Sequence, residues 1–203
     1  MVSDERADLA AYLATFSREQ WDAPTLCARW RVRDVVAHIV SYDELGWFGL
    51  LGPVVQGRFL SPRVNAITLS RYNMRSPEEL LALLGDRRRL RGVPSALGGR
   101  VGLVEAVIHH QDIRRSLGPP RTVPAERLLK ALRLTVIAPD VGGPWRIRGL
   151  RLVATDLDWA IGIGPEVRGP AEVLLMTIAG RRGVAGSLSG PGQPKLARRV
   201  ERR

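Results

Sequence analysis

Two of the three histidines in the chain stand side by side in "VEAVIHHQDIRR", residues 104–115, with Glu105 four residues before His109. Residues four apart in a helix project from one face a single turn apart, so Glu105 and His109 have a chelating arrangement if this stretch is helical. The third histidine, His38, lies in "WRVRDVVAHIV", residues 30–40. Its apolar spacing predicts a buried helix, where an imidazole without a partner is costly. Facing helices of a bundle can bring such groups together in the interior. Two imidazoles and one carboxylate suit zinc or a similar divalent ion and leave positions open for water or substrate. Spacing alone leaves an alternative open: His38 as a satisfied core histidine, Glu105 as a surface charge, and His109 with His110 as an accidental pair. His110 lies about 100° round the helix from His109, so His109, on the face of Glu105, is the candidate ligand. Asp112, three residues on, could orient a ligand as an acceptor or pair with Arg115. Asp34 has a plainer expectation, a first-turn carboxylate favoured by the helix dipole.

The elements that must position these groups follow from periodicity. Leu9, Tyr12, Leu13 and Phe16 predict an opening helix over residues 3–17, and "WDAPTLCARW" ends it at Pro24. A second helix is predicted from Val32 to about Trp47, with Val32, Val35, Val36, Ile39 and Val40 as its apolar face. Residues 49–70 read as a long connection with one short helix. Ser76, Pro77 and Glu79 form a capping box that starts a third helix, buried through Leu80, Leu81 and Leu84. The fourth runs from about Arg100 to Leu117, stopped by "GPP". Past the double proline the pattern changes to a helix over 124–138, a β-hairpin through Leu150, Leu152, Trp159, Ile161 and Ile163, and a helix from Pro170 to Ile178. The expected fold is mainly α: a four-helix bundle over residues 1–118 and a small α+β domain over 119–203.

Composition narrows the function classes. The chain has 203 residues, one cysteine and a formal net charge of +11. Cys27 alone cannot form an intramolecular disulfide or a thiolate zinc site, and it reads as packing rather than as a nucleophile. Residues 1–118 carry 16 basic and 13 acidic side chains, and residues 119–203 carry 15 and 7, so the excess lies in the second part. Much of it falls in the tail "KLARRVERR", which lacks interleaved aromatics and reads as a solvated end. With two lysines among 31 basic residues, the charge reflects arginine-rich coding more than phosphate contacts, and nucleic acid is not the expected partner. No apolar run reaches the ~18–20 residues of a membrane span. The opening "MVSDERADLA" is acidic where a signal peptide would be basic, so a cytoplasmic protein is expected.

"WDAPTLCARWRVRDVVAHIV" followed by "VEAVIHHQDIRR" resembles the mycothiol-dependent maleylpyruvate isomerase family, within the DinB-like group of metal-binding four-helix proteins. The W-x-V-x-D-V-x-A-H and E-x-x-x-H-H-x-D stretches carry the likeness. It implies a divalent metal, usually zinc, held by His38, Glu105 and His109, with mycothiol as the low-molecular-weight thiol co-substrate. It also implies a sterol-carrier-like C-terminal domain, with "VRGPAEVLLMTIAGRR" as its helix and Arg181 as an assisting arginine. Arg31 departs from the serine or threonine common before the second helix. A metal-bound thiol is stabilised as thiolate near neutral pH, and thiolate is the nucleophile. The implied chemistry is cis-trans isomerisation of, or S-transfer to, a small electrophile. The alternative is a non-catalytic metal-binding or regulatory protein whose basic tail contacts nucleic acid.

Overall fold

The computed structural model describes residues 1–41, 43, 72, 74–86, 95–118, 120–139 and 141–201. These fall into two compact units, residues 1–120 and 121–203. The architecture is mainly α, as the sequence predicts, with one small sheet in the second unit.

The first unit contains α1 (Val2–Leu13), the short α2 (Arg18–Trp21), α3 (Val32–Ser41), α4 (Pro77–Gly85) and α5 (Ala96–Leu117). The opening helix ends at Leu13 rather than near residue 17, because Ser17 starts α2 with its own capping box on Gln20. The predicted box on α4 is present: Ser76 accepts from the Glu79 amide and Glu79 accepts from the Ser76 amide. In α3 the N-cap position is taken by Arg31, and the Asp34 carboxylate reaches back to accept its amide at 2.9 Å. Half of a capping box thus offsets the missing serine or threonine. The predicted extension of α3 toward Trp47 and the connection over 49–70 lie outside the described residues.

Helix α1 packs on α4 and α5, and α3 packs on the same two helices. Their apolar faces meet in one core that includes Leu9, Leu13, Val35, Ile39, Leu80 and Leu84. Each such leucine or isoleucine, fully removed from water, contributes about 1.5–3 kcal/mol. Buried acid–base contacts also tie α1 to other parts of the unit. Arg6 donates to Asp43 at 2.8 Å, and Glu5 lies 2.9 Å from His110.

The second unit begins with α6 (Ala125–Thr135) and α7 (Gly143–Ile147), followed by strands β1 (Arg151–Ala154), β2 (Ala160–Ile161) and β3 (Glu166–Gly169). The hairpin of β1 and β2 is antiparallel, pairing Leu152 with Ile161, as the alternation predicts. β3 joins the other side of β1 in parallel, Leu152 facing Val167, and gives the order β2-β1-β3. Helix α8 (Ala171–Ile178) packs on β1, β3 and α6. The following turn at Gly190 has φ +97°, and a Cβ there would lie 2.5 Å from the Glu166 carbonyl, so glycine is required. The basic tail is not a solvated end: Gln193–Glu201 forms α9, with Leu196 and Val200 buried. These two residues are four apart and share one helical face, which the density of charge around them conceals.

Candidate metal centre

Helix α5 carries Glu105, His109 and Asp112 on one face, and α3 brings His38 to the same place in the first unit. His38 Nε2 lies 3.5 Å from Glu105 Oε1. The His38 and His109 rings meet edge to face, with centroids 5.0 Å apart. The three residues singled out from the sequence are therefore neighbours, two of them across a helix interface. His38 and His109 are buried and Glu105 is nearly so.

Burial alone would raise the Glu105 carboxyl above its ordinary value. The hydrogen bond and charge of His38, with the charges of His109 and Arg6, outweigh it and hold the group below that value. One carboxylate oxygen, Oε2, is buried and has no hydrogen-bond partner among the described residues. An ionised oxygen in that position calls for a cation or another donor. The residues fit a divalent ion: two imidazoles and a carboxylate kept ionised are a borderline N/O donor set of the kind zinc takes.

Asp112 lies against His109. Its Oδ2 lies 2.9 Å from His109 Nδ1, both groups being buried. With an ionised carboxylate as acceptor, Nδ1 would carry the proton and leave Nε2 the lone pair a metal needs. His110 points elsewhere. Its Nδ1 is 2.9 Å from Glu5 Oε1, and Arg114 Nε donates to its Nε2 at 3.5 Å. The neighbouring histidine is thus a partnered core residue, held between α1 and α5.

The loop between α2 and α3 closes one side of the site. Pro24 and Arg31 form an isolated antiparallel bridge. The Thr25 amide and hydroxyl both donate to the Trp30 carbonyl, at 3.0 and 2.9 Å. Arg29 turns the chain at φ +71°, a left-handed conformation that costs a non-glycine residue roughly 1–2 kcal/mol. The loop is tied to α5 by the Leu26 amide, which donates to the Asp112 carbonyl at 3.3 Å. This tie sets the Trp30 ring 4.7 Å from that of His38 and 6.1 Å from that of His109. It also brings Cys27 to the site: one donor atom each from Cys27, His109 and Asp112 lie within 4.8 Å of one another.

Neither Cys27 nor Trp30 was assigned a site role from the sequence. Both belong to a non-helical segment, where periodicity says nothing about direction. The only available signal was their place in the "CARWRVRDVVAHIV" stretch that carries the resemblance. Arg181, the other residue implied by the resemblance, follows α8 in the second unit and is half-buried. Its amide donates to the Met176 carbonyl at 3.0 Å and its Nη1 to the Ala179 carbonyl at 3.1 Å.

Fold and site together define a helical bundle with an interior cluster of two histidines and a glutamate, followed by a small α+β unit. Residues 2–91 match the family model described as the mycothiol maleylpyruvate isomerase N-terminal domain. The matched segment includes Cys27, Trp30 and His38; Glu105 and His109 lie beyond it. The whole chain has the fold of the mycothiol-dependent maleylpyruvate isomerase, whose crystal structure it matches with a TM-score of 0.64 at 14% identity, over 95% of this chain and 91% of that one. A histidine-to-alanine mutant of that isomerase gives a TM-score of 0.63 at the same identity and coverage. No curated protein sequence matches the chain. No described helix is long and apolar enough to cross a membrane.

Proposed function

We propose that the chain is a metal- and mycothiol-dependent enzyme that activates this low-molecular-weight thiol for addition to a small electrophile. The observation that carries the reading is the meeting of His38, Glu105 and His109, with one buried Glu105 carboxylate oxygen that has no described hydrogen-bond partner. The family match of the segment containing His38 supports it, and so does the likeness of the whole fold to a mycothiol-dependent isomerase.

A divalent ion, most simply zinc, supplies a Lewis acid that favours the thiolate of a bound thiol near neutral pH. His38 and His109 serve as neutral imidazole donors and Glu105 as the anionic one. Asp112 holds the His109 tautomer in which Nε2 keeps its lone pair, and Trp30 covers the two rings with an apolar face. In the isomerase form of the reaction the thiol sulfur adds to one carbon of a cis double bond and a proton to the other. Rotation about the resulting single bond and loss of both groups then return the thiol and the trans alkene. In the S-transfer form the thioether is the product. Arg181 remains the candidate assisting arginine that the resemblance implies.

Elemental analysis of the purified full chain, beside His38→Ala, tests the reading, with calorimetric titration of mycothiol into each. About one divalent ion per chain and mycothiol binding, both lost in the variant, are expected. A metal-free wild type that does not bind mycothiol would overturn it.

A further inference from the structure

The charge excess of the second unit is concentrated where α7 and α9 pack together. Arg146, Arg148, Lys195, Arg198 and Arg199 all lie in or directly beside these two helices. Neither 143–148 nor 193–200 contains an acid, and the next one, Glu201, is taken up by the Gly183 amide at 2.8 Å. Among the described residues, Arg148, Lys195 and Arg199 have no carboxylate partner.

Two of these cations line an open cavity of about 150 Å³, together with Gly142 and Trp145. Both guanidiniums are fixed. Arg146 Nη1 donates to the Val141 carbonyl and, at 2.8 Å, to the Ile178 carbonyl at the end of α8. The same guanidinium is seated against Gly142 and Gly180, where a Cβ would lie 2.9 and 2.5 Å from its nitrogens. Arg199 Nη1 donates to the Arg146 and Arg148 carbonyls and so closes the C-terminal end of α7. Capping accounts for that one nitrogen; Nε and Nη2 of Arg199 have no partner among the described residues. The remaining wall is Trp145, which is 65% exposed, whereas Trp21 and Trp159 are buried in their cores. No described ring or guanidinium stacks on its indole. A concave site that joins one aromatic face to a few fixed polar groups is the usual form of a small-molecule site, and here those groups are N–H donors of one charge.

We propose that this cavity binds a small planar anion, a carboxylate or phosphate carried on an aromatic ring, with the acid group on Arg146 and Arg199 and the ring on Trp145. Guanidiniums already held by main-chain carbonyls lose little freedom when a ligand arrives. Arg148 and Lys195, outside the cavity lining, add attraction for an approaching anion. Every lining residue belongs to the second unit, so the proposal is independent of the metal reading.

The test uses the full-length protein at low ionic strength, with phenyl phosphate and benzoate as probes. The chain has five tryptophans, so isotope-labelled protein gives five indole N–H resonances, and the one missing from Trp145→Phe reports on the cavity. Saturable movement of that resonance is expected with at least one probe, and the tighter of the two identifies the acid group. Inorganic phosphate lacks the ring and phenol lacks the charge, so each is expected to bind at least about tenfold more weakly. Arg199→Gln should lower the affinity about tenfold, with the buried indole resonances unmoved to show that the fold is kept. No movement with either probe, movement that does not saturate, phenol binding as tightly as the anions, or unchanged affinity in Arg199→Gln would each overturn the proposal.

Discussion

The two adjacent histidines of α5 face opposite fates. His110 is enclosed between α1 and α5, with Nδ1 on Glu5, Nε2 receiving Arg114 and no solvent exposure. His109, one residue earlier, spends a single nitrogen on Asp112 and sits among His38, Cys27 and the Trp30 ring. Residue type and depth are nearly the same, so the chemistry is decided by what the other elements bring. Helix α1 contributes a carboxylate that consumes one imidazole, and α3 contributes His38, which leaves the other available. A histidine whose two nitrogens are both committed inside the protein is a fastener. One oriented by a single acceptor is prepared as a ligand.

Breaking each side separately should give opposite results. His109→Ala is expected to reduce bound divalent metal to background by elemental analysis while the far-ultraviolet dichroism stays that of the wild type. Stoichiometric metal in this variant would erase the distinction. On the other side, His110→Ala removes a buried hydrogen-bond partner of Glu5, a defect of about 1–3 kcal/mol. A lower urea midpoint with metal content near one per chain is expected, and loss of metal without loss of stability would reverse the assignment.

Sharpening the contrast needs a gentler change. Asp112→Asn keeps the shape but removes the charge that fixes the His109 tautomer, and zinc affinity should fall about 10–100-fold, as for other second partners of ligating histidines. Competition with a chromophoric chelator measures it, and unchanged affinity would mean that Asp112 only fills space. The smallest effect concerns pH. Because the folded protein holds the Glu105 carboxyl below its ordinary value, its contribution to stability is present above the unfolded value near 4 and is lost as pH falls through the folded one. Metal-free Glu105→Gln should therefore differ from wild type in urea midpoint at pH 6, with the gap narrowing below about pH 4. A constant gap would show that Glu105 is not ionised in the folded state.

These contrasts also mark what could be read from sequence. The Ser76 and Glu79 capping box, the turn-apart pair Glu105 and His109, and the β1–β2 hairpin are local patterns, and local patterns are carried by periodicity. Glu5 with His110 and Arg6 with Asp43 join residues 105 and 37 positions apart, so no spacing rule reaches them. Strand β3, "EVRG", has one apolar side chain between charges, and its parallel pairing is set by where β1 already lies. Cys27 and Trp30 were hidden for a related reason. Their direction depends on a left-handed Arg29 and on an amide bonded to a helix some 86 residues later in the chain.

The Trp30 indole, set against both imidazoles, gives the centre an optical reporter of its own. Indole emission is quenched by a nearby protonated imidazole and altered when an ion takes that imidazole's lone pair. Filling of the centre is therefore readable as a change in fluorescence, without substrate or label. Trp21 and Trp159 are buried in the cores of their units and Trp145 is exposed. The difference between wild type and Trp30→Phe isolates the signal from the ring set against His38 and His109.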